Sequence, residues 1–259
     1  MKMRFFTLAG PVLLLAPLAG AGTGLPAFTT PQPPRQMILV VTKDWQAVGG
    51  RLQRFELNSN LWQAVGPSIQ IVVGRNGMGW GAGVHPMPEP GPQKKEGDRK
   101  SPAGAFQLLA TFGYAPLEKM GALKMPYTQC TGTLECVDDP KSASYNRVLE
   151  RSSVPKPDWT SSEKMRMSNG QYRLGVVIEH NTSPPVPGGG SCVFMHIWLG
   201  PEHGTTGCTA MSESDIETVV AWLDAQAHPI LVQLPQPEYA RLREAWHLPG
   251  MPPAAIGAK

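Results

Sequence analysis

His196 and Cys208 are the residues of this chain whose types and spacing point most directly to chemistry. They lie in Phe194-Met195-His196-Ile197-Trp198-Leu199-Gly200-Pro201-Glu202-His203-Gly204-Thr205-Thr206-Gly207-Cys208-Thr209-Ala210-Met211. A free thiol with a pKa of about 8.5 is only slightly ionised at neutral pH, so a nucleophilic cysteine needs a neighbouring base or a positive dipole. His196 is the nearest base in the sequence. It sits in a run from Ser191 to Leu199 whose β-branched and aromatic content predicts a buried strand, ended by Gly200-Pro201. Cys208 then follows a loop that can fold back toward the end of that strand. Gly207, lacking a side chain, lets a substrate carbonyl approach the backbone and permits dihedrals that aim successive N–H groups at one point. The amides of Thr206 and Gly207 are therefore candidates for an oxyanion hole. A structural cysteine and a core histidine that meet only in the sequence would be spelled the same way.

Around this pair the chain reads as one β-rich domain. Met1 to Arg4 is basic, Phe5 to Leu18 is apolar but interrupted by Gly10, Pro11 and Pro17, and Ala19 to Gly22 is small. This layout predicts a secretory signal peptide over 1–21, too short and proline-broken for a membrane anchor. No cysteine lies at the expected cleavage region, which argues against a lipid anchor. A Pro-rich linker is expected over 22–36, a folded domain over 37–234 and a C-terminal tail over 235–259. About 235 residues remain after cleavage, enough for one well-cored domain. Of 23 basic residues, Lys2 and Arg4 fall in the leader, which leaves 21 against 20 acidic ones. A net charge of +1 gives no reason to expect a nucleic acid or a charged membrane surface as partner. The 28 glycines and 27 prolines favour short strands joined by many turns over a helical bundle.

Met37 to Thr42, Arg51 to Leu57, Trp62 to Val65 and Ile69 to Val73 predict an antiparallel meander. Gly77 to Gly97 reads as loop, and Ala105 to Ala110 as the next strand. From Gly113 to Lys164 no period holds, and so long an excursion is expected to be a cap or a substrate-facing loop. Tyr172 to Glu179 returns to strand. Ser212 with Asp215 three positions on predicts a helix start, with Ile216, Val219, Val220 and Leu223 on one face. Pro229 to Leu234 closes the sheet, and Pro237 to His247 is a short helical candidate.

Export permits disulfides. Cys130 and Cys136 flank a turn-like insert that a local disulfide could close, and that pairing is the expected one. Cys192 is then either a core residue or a partner for Cys208. Zinc is the other reading of clustered Cys and His, but the spacings match no compact ligand pair, so no metal is expected.

Two separated segments resemble one family, the YkuD-like L,D-transpeptidases of bacterial cell walls. Gly97-Asp98-Arg99-Lys100-Ser101-Pro102-Ala103-Gly104-Ala105-Phe106 is similar to its Gly-Asp, small-Pro-x-Gly-x-Phe segment. His196 with Thr205-Thr206-Gly207-Cys208 is similar to its His followed by Ser/Thr-x-Gly-Cys. The resemblance covers most of Met37 to Leu234. It implies a mostly β fold of sandwich or mixed sheets, with one helix after the cysteine and a long cap-like excursion. It further implies Cys208 as nucleophile, His196 as base with its ring held by the Ile197 carbonyl, and backbone amides from Thr206 to Cys208 as the oxyanion hole. The implied substrate is a peptidoglycan stem tetrapeptide, attacked at the carbonyl of its third residue with loss of the terminal D-alanine. The thioester passes to an amine of a second stem, or to water in an L,D-carboxypeptidase. No cofactor is implied, and acylation by a carbapenem is.

Some positions depart from the family. Thr209-Ala210 stand where an aliphatic residue and an arginine usually follow the Gly-Cys, which removes a fixed cation that Arg75 could replace. Thr206 replaces the histidine common two positions before the cysteine, and His203 is the nearby alternative. Tyr127, Asp138, Asp139, Tyr145, Asn146, His180 and Asn181 are candidate contacts to a stem peptide, though turns use the same residue types. The expected protein is periplasmic or secreted. Its rival in another class is a non-catalytic wall-binding or redox protein with Cys192 and Cys208 disulfide-bonded.

Overall fold

The run of Ile, Leu and Val after Met37 forms β1 (Gln36–Thr42), buried at every position because strands cover both its edges and side chains cover both its faces. The structure, a computed structural model, describes residues 28–86 and 90–252. The signal-peptide expectation and the first part of the linker lie outside the described residues.

β2 (Gly49–Asn58) and β3 (Leu61–Val72) complete the antiparallel meander with β1. The two runs expected on either side of Gly66-Pro67 are one continuous strand, with an irregularity at Leu52 to Arg54 in β2 that absorbs the glycine-proline step. β4 (Met78–Trp80) lies inside the expected loop and pairs in parallel with β5 (Ser101–Gln107). β6 (Thr111–Gly113) and β7 (Tyr127–Gln129) form the other edge of the sheet.

The excursion that follows is not irregular. β8 (Leu134–Val137), β9 (Val148–Glu150) and β10 (Ser162–Lys164) make a separate three-stranded antiparallel sheet in the order β10-β8-β9. Strands of three or four residues are too short to display a period of two, so the pattern is silent there. Glu135 is the hub of this cap. It is fully buried and accepts hydrogen bonds from Arg151 Nη1 (3.0 Å), Trp159 Nε1 (2.8 Å) and Ser162 Oγ (2.9 Å), and it pairs with Lys164. Burial pushes its carboxyl up, but these donors prevail and take it down to about 2.

The chain re-enters the main sheet at β11 (Leu174–Val177), which pairs with β6, so the cap leaves and returns at nearby strands of one edge. β12 (Phe194–Ile197) is antiparallel to β11, and β13 (Thr209–Met211) is parallel to β12. α1 (Glu213–Trp222) starts as expected: Ser212 Oγ accepts from the Asp215 amide (3.2 Å), and Ile216, Val219 and Val220 are buried. β14 (Ile230–Pro235) lies between β1 and β5. The result is a mostly β protein with an 11-stranded mixed sheet ordered β4-β5-β14-β1-β2-β3-β13-β12-β11-β6-β7.

α2 (Gln236–Leu242) is a second helix. The expected boundaries at 36 and 234 are too narrow, because both flanks supply core. Phe28 packs edge-on against Trp246 (5.3 Å between centroids), and Tyr239, Leu242 and Leu248 are buried beside them.

Candidate active site

The thiol of Cys208 lies just before β13, whose parallel pairing with β12 sets Thr209 opposite Met195 and Ala210 opposite His196. The Phe194 amide donates to Cys208 Sγ (3.3 Å), and the thiol points toward the Cys192 carbonyl oxygen (3.7 Å). Cys208 is 5% exposed and unbonded to any other cysteine. Burial, and after it the negative charge of Glu163, pushes its thiol up to about 12, against smaller downward effects from the Phe194 amide, Tyr172 and Lys94.

Two segments remote in sequence fix the cysteine backbone. Ser101 Oγ and Thr205 Oγ1 both donate to the Cys208 carbonyl, at 2.8 and 2.6 Å. The glycine-aspartate turn is held by Asp98, which accepts from the amides of Lys95 (2.7 Å) and Lys100 (2.9 Å) and from Lys94 Nζ (2.7 Å). Lys100 is brought against Gly207, whose φ of +152° and 3.1 Å gap between a would-be Cβ and the Lys100 carbonyl oxygen require glycine. Gly104 answers to a similar constraint at φ +138°, where a Cβ would run into the His85 ring.

The polar residue after the cysteine has a partner. Thr209 Oγ1 donates to Gln233 Oε1 (2.6 Å), and Gln233 Nε2 donates to the Pro102 carbonyl (2.8 Å), all fully buried. Ala210 is also fully buried between β12 and β3, leaving no room for the arginine usual there.

His196 is 3% exposed, and its Nδ1 lies 2.8 Å from the Ile197 carbonyl oxygen. A carbonyl only accepts, so Nδ1 carries the proton and Nε2 keeps its lone pair. Burial draws the imidazole down to about 4, with the Ile197 carbonyl opposing. No hydrogen bond joins His196 to Cys208. Tyr172 shares a buried cluster with Cys208, and its ring packs edge-on to His196 (5.1 Å) and Phe194 (5.6 Å). The Tyr172 hydroxyl donates to Glu163 Oε1 (2.6 Å) and sits close enough to the Cys208 sulfur for each group to alter the other's proton affinity. Burial raises the Glu163 carboxyl to about 7, opposed by the Tyr172 hydrogen bond and assisted by Asp138 and Glu96.

Two cavities meet at this point. One of about 470 Å³ is lined by Cys208, Gly207, Lys94, Arg99 and Asp138; the other, of about 160 Å³, by His196, Tyr172, Arg75 and Thr205. Glu163 and Thr206 line both. Gly207 departs from its expected role, since its amide donates to Thr205 Oγ1 (3.1 Å). The hydroxyl competes for that donor because the tight turn brings it within reach.

The disulfide expectation is overturned. Cys136 is bonded to Cys192, and Cys130 is a buried free thiol. Cys192 has a positive φ of 54°, which takes it off the strand alternation and turns its side chain to the cap. This same bond removes the Cys192–Cys208 disulfide on which the redox rival depended.

Most of the other expected contacts hold the scaffold together. Asn146 (φ 61°) donates to the carbonyls of His180 (2.9 Å) and Asn181 (2.8 Å), and accepts from the Cys192 amide (2.9 Å). Asn181 (φ 56°) ties down the turn to Gly190 through Val186 and Gly190. His180 is buried against Phe106 and reaches the Gly189 carbonyl (3.0 Å). Asp139 caps Lys141 and Thr160, Tyr145 donates to Glu96 (2.5 Å), and Tyr127 donates to the Ala115 carbonyl (2.6 Å). His203 is exposed beside Gly200 and lines neither cavity, whereas Arg75 lines the His196 one. Tyr172 and Glu163 escape a reading by motif, whereas Ser101 and Thr205 stand inside the two segments that resemble the family, with no role there read for their hydroxyls. Only the strand position of Tyr172, two residues before Leu174, offered a signal.

No family model matches this chain, and no curated protein matches it. A solved structure, that of Bdellovibrio bacteriovorus Bd1075, is similar at 13% identity over 85% of this chain with a TM-score of 0.39. The chain spans 57% of that protein's chain. So remote a likeness carries no argument for the site.

Proposed function

We propose that this chain is an exported cysteine-dependent acyltransferase, an L,D-transpeptidase acting on peptidoglycan stem tetrapeptides. The observation that carries this reading is the junction at Cys208: the Gly97 to Phe106 segment and the Thr205 to Cys208 segment, the two that resemble the family, are fastened together by the Ser101 hydroxyl on the cysteine carbonyl. A free thiol there, beside a histidine whose Nδ1 is tied to Ile197, fits acyl transfer.

The buried thiol and imidazole rest as a neutral pair, so the thiolate forms only as a substrate carbonyl arrives to take its electron pair. With the Gly207 amide engaged by Thr205, the amides of Thr206 and Cys208 are the donors left for the oxyanion. Arg75, at the His196 cavity, supplies the cation that Ala210 cannot. The Cys136–Cys192 disulfide supports export to an oxidising compartment.

Mass spectrometry of purified disaccharide-tetrapeptide, incubated with the wild type and with Cys208→Ala, tests the reading. Cross-linked dimers lacking one D-alanine, made by the wild type alone, are expected. Tripeptide without dimers makes the protein an L,D-carboxypeptidase, and unchanged substrate removes both readings.

A further inference from the structure

The cavity of about 470 Å³ at Cys208 contains a buried lysine that the thiol and the imidazole do not account for. The Lys94 side chain is 4% exposed, and its Nζ donates to Asp98 Oδ1 and to the Lys95 carbonyl, both at 2.7 Å. An ammonium carries three donors, so one is left over, and an acceptor for it reaches Lys94 through the cavity. Asp98 shares its charge with two further donors, the amides of Lys95 (2.7 Å) and Lys100 (2.9 Å). The lysine stem is seated between two glycines. Its Cε lies 3.1 Å from a Cβ built on Gly190 and 4.0 Å from one built on Gly207, the residue before the nucleophile. Arg99, on the same glycine-aspartate turn, lines the same cavity. It is exposed and its backbone is left-handed (φ 60°), and among the described residues no hydrogen bond or ion pair engages its guanidinium.

We propose that Lys94 and Arg99 form a carboxylate-binding subsite beside Cys208, which selects acyl donors whose leaving residue ends in a free carboxylate. This rests on the acyl-transfer reading, deepens it, and keeps His196 as the base. The reach is right for a short leaving group. One residue spans at most about 3.6 Å, so a single leaving residue sets its carboxylate about that far beyond the attacked carbonyl. Lys94 borders the position next to the thiol, a separation of the same order. A leaving group of two residues carries its carboxylate past the lysine. Arg75 lines the other cavity, with His196, and does not compete for this role.

The acidic residues of the cavity leave this wall intact. Glu96 is already satisfied: Oε2 accepts from Tyr145 Oη (2.5 Å) and Ser191 Oγ (2.6 Å), and Oε1 from the Gly97 amide (3.2 Å). Asp138 and Glu163 come from the cap, whereas Lys94 and Arg99 come from the turn, so an anion is repelled by the one segment and held by the other. Out of bulk water, an ammonium–carboxylate hydrogen bond is stronger than its exposed counterpart. The Lys94 charge also reaches the sulfur, where it opposes the upward push of burial on the thiol.

The test compares two thiosulfonates on Cys208 in the disulfide-intact mature protein at neutral pH. 2-Carboxyethyl methanethiosulfonate carries a carboxylate and methyl methanethiosulfonate does not. With either, the thiolate attacks the alkylthio sulfur, an S–S bond forms, and methanesulfinate leaves with the electron pair. Peptide mapping separates Cys208 from Cys130, and the ratio of the two rates cancels any change in the thiol itself. Lys94→Met is expected to lower the ratio of anionic to neutral reagent about tenfold, the strength of one charge-assisted hydrogen bond. Arg99→Gln is expected to lower it about twofold to fivefold, as loss of an exposed ion pair does. An unchanged ratio in Lys94→Met, even if both rates fall, makes the lysine structural and overturns the subsite. Should Lys94→Met not fold, an unchanged ratio in Arg99→Gln overturns it. No stem peptide enters this comparison, so a wild type inactive on peptidoglycan leaves it decisive. In an active wild type, KM is expected to rise about tenfold when the stem tetrapeptide is replaced by its C-terminal amide, and to change little in Lys94→Met. A wild type that processes the amide as well as the acid overturns the assignment to the leaving residue.

Discussion

Cys136 in the cap is covalently bonded to Cys192 at the threshold of the histidine strand, and the Cys192 amide is also held by Asn146. The bond spans 56 positions, and closing a loop of that size stabilises a fold by about 4 kcal/mol on chain-entropy grounds. Cys136→Ser should therefore lower the melting temperature markedly and release the strand that presents Glu163. Thiol titration in denaturant should find two free thiols before reduction and four after. Two free thiols that map to anything other than Cys130 and Cys208 would refute the pairing.

A carbapenem should acylate Cys208 and leave Cys130 untouched. Both thiols are buried and raised to about 12, but Cys208 lines a cavity of about 470 Å³ beside Gly207 and Thr206. Intact-mass analysis should show one adduct on the wild type and none on Cys208→Ala. An adduct mapped to Cys130 would contradict the site.

Ser101→Ala should slow turnover more than it harms the fold. The substitution removes one of two hydroxyls from the Cys208 carbonyl and the acceptor for the Gly74 amide, a loss of about 1–3 kcal/mol. Thermal melting and the rate on stem tetrapeptide, measured together, should show turnover falling at least tenfold in protein that remains folded at the assay temperature.

Glu163→Gln should stabilise the protein at pH 8 and not at pH 4. A carboxyl whose pKa is higher in the native chain holds its proton more tightly there. Its contribution is thus favourable below the unfolded value of 4.5 and is lost as pH rises to about 7. Up to about 3 kcal/mol should separate variant from wild type in urea melts at pH 8, converging at pH 4. Equal stability at both pH values would mean that Glu163 is ordinarily solvated.

Glu135 has the opposite sign. Its native carboxyl lies near 2, so the cap keeps this contribution above 4.5 and loses it as pH falls toward 2. Glu135→Gln should cost about 1–3 kcal/mol at pH 7 and flatten the acid limb of the stability curve, measured by urea melts between pH 2 and 7.

The parts of this molecule that announce themselves in sequence are those where one physical rule dominates. The Met37 to Thr42 run is strand because both faces are buried, and Ser212 with Asp215 starts a helix because the side chain meets an otherwise unpaired amide. That the chain folds back to set the Cys208 segment beside the His196 strand is legible from the strand pattern and the glycine-rich loop between them. The cap was not: its strands are too short to carry a period and are set by pairing across 12 to 29 positions, the longest between Glu135 and Lys164. Nearness in sequence favours Cys130 as the partner of Cys136, whereas β8 carries Cys136 to Cys192. Asn146 and Asn181 have the residue type of ligand contacts, but their left-handed backbones mark them as turn formers.

The cap leaves the main sheet after β7 and rejoins it at β11, with only β6 lying between those two strands. A segment whose ends are near neighbours can be lengthened, trimmed or exchanged without rethreading the domain. The thiol, its hydroxyl fasteners and the Gln233 link all lie outside the cap. Glu163 and Asp138 lie on the cap, so replacing the cap would keep the setting of the thiol and change the walls of the cavities beside it.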